Sequence, residues 1–531
     1  MPADDPDLAT RVGPTWLSRR DLLVKGARAG ALAGSLAGGW TSLALVAGSR
    51  PAFAAPVPKR GGRLRVAVPP AATLDPVRMT LAGPIAVVQQ IAEYLVWVEP
   101  DLSLRPVLAT AWHTSDGGRT WIFDLRRDVL FHDGREFTAD DVVASFQRLI
   151  DPKTASGEAA PFAFLKAGGI TKLGKYQVRF ELTRPIGQFP YYTNAGNAVI
   201  LPADYSGDFE RKPIGTGPFK LDAFHPNEGA RLVRNPDYWD KGKPYLDTVE
   251  IACFADIGAM TRALREGGAD LLLGGAFVDL QSLEGEANVT LMTLPSAEHR
   301  QLTMRTDRPP FDDGRVRKAI ARCLRREVLV KDLLGGHAGL GNDHPVAPIF
   351  CENIRVQQRA ADLDEARWFL DLAGHGRGLA VDLHTGRSQE NPRYAEAIKE
   401  MLAPAGISVT LHIEPVEVYD AHWTEIDFGL TSWASQPTAV ETLAAAFRSG
   451  SPRNASRFRN PEFDTLLDQI EAANDEAART KHLQRAAEIL HEEVPAVIAY
   501  FNDSIRPLRK NVRGVSGSLS QFLDLTTAWL A

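Results

Sequence analysis

Gly169-Ile170-Thr171-Lys172-Leu173-Gly174-Lys175 carries the glycine and lysine spacing of a phosphate-cradling loop, in which backbone N–H groups and a lysine would grip phosphate oxygens. Tyr176 stands where a Ser or Thr hydroxyl would hold magnesium, so the segment reads instead as a hairpin turn before an alternating strand. Twelve histidines are scattered without H-E-x-x-H or a tight ligand cluster, and no G-x-S-x-G elbow occurs. His132-Asp133-Gly134 has acid-base residue types, but its place between an apolar strand and a capped helix predicts a structural turn. Asp140-Asp141 and Asp312-Asp313 fall at helix starts, where carboxylates complement the helix dipole. Cys253, Cys323 and Cys351 are too few and too far apart for a disulfide framework or a metal knuckle, and read as small buried apolar residues. Neither a catalytic residue, nor a metal site, nor a cofactor is expected.

The elements that would carry a binding site are plainer. The chain has 531 residues, 44% hydrophobic and 24% charged, enough for two or three domains with large cores. Sixty basic residues against 66 acidic ones give a formal charge of -6, which offers no field for a phosphate backbone and excludes nucleic acid as a partner class. Strands with period two are predicted at 61–68, 120–125 and 176–182. Thr138 and Asp141 form a capping box for a helix whose Val142, Val143, Phe146 and Ile150 share a face. Farther on, Asp256 caps a helix ended by Gly267-Gly268, strand 271–273 follows, and another helix starts at Asp313. Residues 378 to 433 alternate strand, helix, strand, short helix, strand, and two helices then precede a strand at 496–502, the pattern of an α/β fold.

Residues 1–54 read as a targeting segment. Arg19-Arg20 precedes leucines, 29–48 carry no charge, and Ala52-Phe53-Ala54 has the small-x-small pattern of an export peptidase site, with cleavage expected after Ala54. No cysteine stands there to take a lipid. An uncleaved anchor is the alternative, disfavoured because Gly and Ala dominate the uncharged run.

Pro106-Val107-Leu108-Ala109-Thr110-Ala111-Trp112, Trp121 to Arg126, Val129 to Gly134 and Thr138 to Val142 form an ordered set. Gly215-Thr216-Gly217-Pro218-Phe219, Asn235-Pro236-Asp237-Tyr238-Trp239, Pro310 to Ala319 and Asn460-Pro461-Glu462-Phe463-Asp464 continue it. In these motifs the chain resembles the extracytoplasmic solute-binding proteins, family 5, that serve peptide, opine and nickel ABC importers. The resemblance implies an α/β, two-lobed periplasmic-binding-protein fold of type II, the Venus-flytrap architecture, with an extra domain in the first lobe. It places lobe I at 55–85, 205–300 and 501–531, the inserted domain at 86–204, and lobe II at 301–500. It implies a soluble periplasmic monomer that captures a peptide-like or anionic organic solute in the interlobe cleft. The membrane permease and ATPase subunits of the importer are the implied partners.

The same resemblance puts ligand contacts at Thr80, Arg305, Trp433, Ser435, Gln436 and Phe501. Peptide binders carry an aspartate after Trp433 for the ligand's ammonium, whereas this chain reads Trp433-Ala434-Ser435-Gln436. Without that counter-charge a buried ammonium is costly, which favours anionic or amino-blocked solutes. Arg305 could fork onto a ligand carboxylate, or pair with Asp307 or Asp343 and never meet the ligand. Two other readings stay open: an exported cofactor-containing enzyme, and the same fold binding nickel or a metal chelate through dispersed histidines such as His344 and His384.

Overall fold

The computed structural model describes residues 57–79, 81–154, 162–350, 354–519 and 522–531. The targeting segment, Thr80 and Cys351 lie outside the described residues. A twelve-stranded sheet forms the spine. From one edge its order is Ile407–Glu414, Leu379–Gly386, Phe428–Trp433, Val289–Met304, Tyr500–Arg509, Leu271–Leu272, Arg63–Val68, Thr248–Cys253, Gly229–Arg234 and Phe219–His225, with Ala338–Leu340 and Ala496–Val497 paired beside this path. The two longest central strands tie its halves together. Val289 to Pro295 pairs antiparallel with Asp503 to Arg509, and His299 to Met304 pairs on its other side with Phe428 to Trp433. The register shifts between Pro295 and Glu298, where proline lacks a ladder N–H. There Ser296 Oγ donates to Asn502 O at 2.6 Å.

The predicted caps explain where helices begin. Thr138 N–H donates to Asp141 Oδ2 at 2.8 Å, closing the capping box of helix Ala139–Ile150. Asp256 accepts from Ala259 N–H at 2.7 Å, and Gly267 at φ +83° ends helix Ile257–Glu266, a left-handed conformation that glycine adopts without strain. Asp313 caps helix Gly314–Cys323. The phosphate-loop look-alike is part of a strand, Leu165–Gly174, hairpinned onto Gln177–Leu182. His132 sits in a structural turn, its Nε2 3.0 Å from Gly217 O. Cys323 is buried in the core, whereas Cys253 is half-buried at a strand end.

Two departures concern strand length. The expected strand 496–502 is interrupted, and its second part continues to Arg509. Strand 271–273 stops at Leu272. The continuation is buried on both faces and so lacks alternation, and Arg506 enters it because its guanidinium donates to Ser516 O and Phe522 O at 2.7 and 2.6 Å.

A separate four-stranded sheet, ordered Ala109–Thr114, Thr120–Leu125, Gln177–Leu182, Leu165–Gly174, packs helix Ala139–Ile150 on one face. Its inward residues Phe123, Val178 and Phe180 are fully buried. Phe180 meets Phe123, Phe146 and Phe189 at ring separations of 5.4, 5.0 and 5.1 Å, packing that adds specificity to apolar burial. One core joins this sheet to the half of the spine built on Leu64, Val66, Val249 and Ile251. Another surrounds Leu302, Ile320, Leu383, Ile398 and Leu430 in the opposite half. That half also buries a charge triad: Asp343 accepts from Arg326 at 2.7 and 2.9 Å and from Arg359 at 2.7 Å. Where the central strands meet, Arg300 is 1% exposed and donates to Gln389 at 2.7 Å and to Glu390 at 2.9 Å. Among the described residues, no helix is long and apolar enough to cross a membrane.

Candidate functional site

Strand Phe428–Trp433 ends at a loop, Ala434 to Thr438, before helix Ala439–Phe447. Its Ser435 Oγ accepts from Ala297 N–H at 3.1 Å, which fixes the loop against the central strand. A cavity of about 390 Å³ opens beside it, lined by Ser435, Gln436, Glu441, Arg453, Tyr192 and Asn194, among others. Val98, Glu99, Leu102, Tyr191, Ser518, Leu519 and Phe522 also line it, so distant parts of the chain share the space. The size suits a small organic solute.

Its polar groups are held but not used up. Asn194 Oδ1 accepts from Val98 N–H at 3.0 Å, while its Nδ2 is buried without a hydrogen-bond partner. Tyr191 donates to Leu102 O at 2.8 Å. Glu99 is committed to Arg105, which also reaches Asp524 at 2.7 Å. Glu441 accepts from Thr438 Oγ1 at 2.7 Å, and burial pushes its carboxyl up to about 7 against the opposing pull of that hydrogen bond. Burial, with a smaller contribution from the Glu441 charge, holds the Tyr192 phenol well above its ordinary value. Arg453 lies over the Trp433 ring, 4.6 Å from its centroid, a cation–π contact that fixes the guanidinium while leaving its donors available. Among the described residues, neither Glu441 nor Arg453 has an ion-pair partner.

Of the residues expected from sequence, Ser435 and Gln436 line this cavity. Trp433 stands behind it as the platform for Arg453, packs edge-on against Trp423 at 6.0 Å, and is 5% exposed. Phe501 is buried edge-on against His299 at 5.5 Å and does not line the cavity. Arg305 takes the alternative course. Its Nε and terminal nitrogen donate to the two Asp307 oxygens at 2.8 and 3.0 Å, and it is absent from the cavity wall. His344 is buried, and desolvation pushes its imidazole down to about 4. Sequence reading missed Glu441, Arg453, Tyr191, Tyr192 and Asn194. Thr438-Ala439-Val440-Glu441 is a Ser/Thr-x-x-Glu capping signature and could have flagged Glu441; nothing local marks the others.

Residues 103–455 match the model of the bacterial extracellular solute-binding proteins, family 5. The chain is 28% identical over 454 residues to di/tripeptide-binding protein 2 of Pseudomonas aeruginosa, covering 77% of this chain and 83% of that protein. It is 26% identical over 466 residues to heme-binding protein A of Haemophilus influenzae, covering 80% and 84%. The structure of the ABC transporter-associated periplasmic binding protein DppA from Helicobacter pylori, in complex with peptide STSA, superposes with a TM-score of 0.72 at 25% identity, covering 89% of this chain and 98% of that one.

Proposed function

Because the chain belongs to family 5 of the bacterial extracellular solute-binding proteins, we propose that its cavity receives a peptide-like solute carrying both a free carboxylate and a free amino group. The fold is the two-lobed, type II periplasmic-binding-protein fold, and the protein is a ligand-binding receptor of the kind that serves ABC importers. One observation carries the choice of solute: Glu441 and Arg453 have opposite charge, lack ion-pair partners among the described residues, and line one cavity. A carboxylate forked by Arg453 and an ammonium facing Glu441 would satisfy both, and charge-assisted hydrogen bonds of this type are the strong ones. Glu441 supplies an acid that the loop directly after Trp433 lacks. Ser435, Gln436 and Asn194 would hydrogen-bond the solute's amide groups.

The chain is exported by the twin-arginine route, cut after Ala54, and acts as a monomer without catalysis, handing its solute to permease and ATPase subunits in the membrane. Lobe I comprises 55–85, 205–300 and 501–531, the inserted domain 86–204, and lobe II 301–500, so strands Val289–Met304 and Tyr500–Arg509 run between lobes. Solute bound between them would shift an open–closed equilibrium by its difference in affinity for the two states.

A thermal-shift screen of the mature protein tests this reading, using free di- and tripeptides, amino-acetylated and carboxyl-amidated versions, opine-like acids, sugars and nickel. A hundredfold excess over the dissociation constant adds about 2.7 kcal/mol of stability. Free peptides should raise the melting temperature and either blocked form should do so less. Stabilisation by amino-blocked acids alone would instead assign an anionic solute held by Arg453 and Gln436.

A further inference from the structure

Apart from the cavity, three side chains converge on the flank of the sheet. His384 and His412 are register partners on the parallel strands Leu379–Gly386 and Ile407–Glu414, and Glu414, two residues beyond His412, shares their face. The chain then turns through helix Val416–Asp420 and returns His422 to the same carboxylate. His384 Nδ1 lies 2.8 Å from Glu414 Oε1 and His422 Nε2 lies 3.3 Å from Glu414 Oε2. One ligand atom of each residue falls within 4.8 Å of the others. None of the three lines the solute cavity.

We propose that His384, Glu414 and His422 bind one divalent transition-metal ion of the zinc class, a resident ion and not the transported solute. His422 Nδ1 is 2.7 Å from Val418 O, and a carbonyl can only accept, so Nδ1 carries the proton. In the neutral ring Nε2 then presents a lone pair to Glu414 Oε2, an oxygen that is buried and has no hydrogen-bond donor. Two acceptors face each other, and either a second proton on the ring or a cation between them must relieve the contact. A proton yields only a partly exposed ion pair, a weak interaction. His384 brings a second imidazole to the same carboxylate, its Nδ1 2.8 Å from Oε1 and its ring stacked on His412, centroids 4.3 Å apart and planes 12° from parallel. A metal uses both histidines neutral. With bonds of about 2.0 to 2.2 Å at tetrahedral angles, neighbouring ligand atoms stand about 3.3 Å apart, inside the 4.8 Å within which one ligand atom of each residue already lies. Two imidazoles and a carboxylate are a zinc-type set that leaves a position for water, and the Val418 carbonyl supplies the outer hydrogen bond that fixes a ligating histidine's tautomer. The ion would pin the edge strand to its neighbour and to the helix that follows.

Isothermal titration of the chelator-stripped full-length protein with zinc chloride, paired with metal analysis after dialysis, tests the site. One zinc per chain is expected. Glu414→Gln and His422→Gln should each weaken binding at least about tenfold, with zinc-free melting temperatures near wild type. Cobalt should give a visible absorption band that both variants lose, while Arg453→Ala keeps it. Wild-type affinity in both variants, loss of zinc binding in Arg453→Ala, or no stoichiometric zinc on the unaltered protein would each overturn the proposal. Because the cavity variant keeps zinc and the cluster variants keep the solute, failure here is separable from failure of the receptor reading.

Discussion

Replacing Glu441 with Gln should flatten the pH dependence of stability in a calculable way. The carboxyl sits at about 7 in the folded protein against an ordinary 4.5, because burial disfavours its charged form. A carboxyl whose folded value is raised contributes stability that is complete below about 4.5 and is lost as pH rises through about 7. The separation is worth about 3 kcal/mol between the two protonation states. Between pH 8 and pH 5 the wild type should therefore gain between about 2 and 3 kcal/mol relative to Glu441→Gln, which cannot titrate. Glu93, also pushed up to about 7 by burial, and His299 and His344, pushed down to about 4 by burial, are common to both proteins and cancel in the difference. Urea unfolding followed by tryptophan fluorescence across this range reads it directly. A stability difference that does not change with pH would refute the assignment of a desolvated, unpaired carboxyl at the cavity.

Asp343→Ala should cost about 3 to 5 kcal/mol by leaving the Arg326 and Arg359 guanidiniums buried without a counter-charge, read as a lower urea midpoint. Gly215→Ala should destabilise by about 1 to 3 kcal/mol in the same assay, because its Cβ would stand 2.1 Å from Ile91 O, a backbone atom that cannot swing aside. Arg305→Ala should lower stability by about 1 to 3 kcal/mol through loss of the Asp307 fork yet leave solute affinity unchanged in calorimetry; a large loss of affinity at unchanged stability would return Arg305 to the ligand.

Much of the framework is legible because local chemistry and tertiary structure agree. Asp256, Asp313 and the Thr138–Asp141 box cap the helices their positions announce, and the alternation at 120–125 and 177–182 matches a sheet with one buried face. Tyr500 to Arg509 is harder to read, since both faces are covered and Arg506 is buried by carbonyls from a later loop. Ser435 and Gln436 are legible only through the family resemblance, which implies ligand contacts on the turn after Trp433. Arg453 and Asn194 are not, because only folding brings residues hundreds of positions apart onto one wall. The same holds for His384, Glu414 and His422: their separations match no short metal motif, and parallel pairing of two strands creates the cluster.

The central claim is that Glu441 and Arg453 together hold one solute. Calorimetric titration of a stabilising peptide from the screen into wild type, Glu441→Gln and Arg453→Ala tests it most directly. One solute per chain is expected, with affinity lowered at least about tenfold in each variant, as for a broken charge-assisted pair worth about 1.5 to 3 kcal/mol. Unchanged affinity in both variants would contradict the account and place the solute elsewhere.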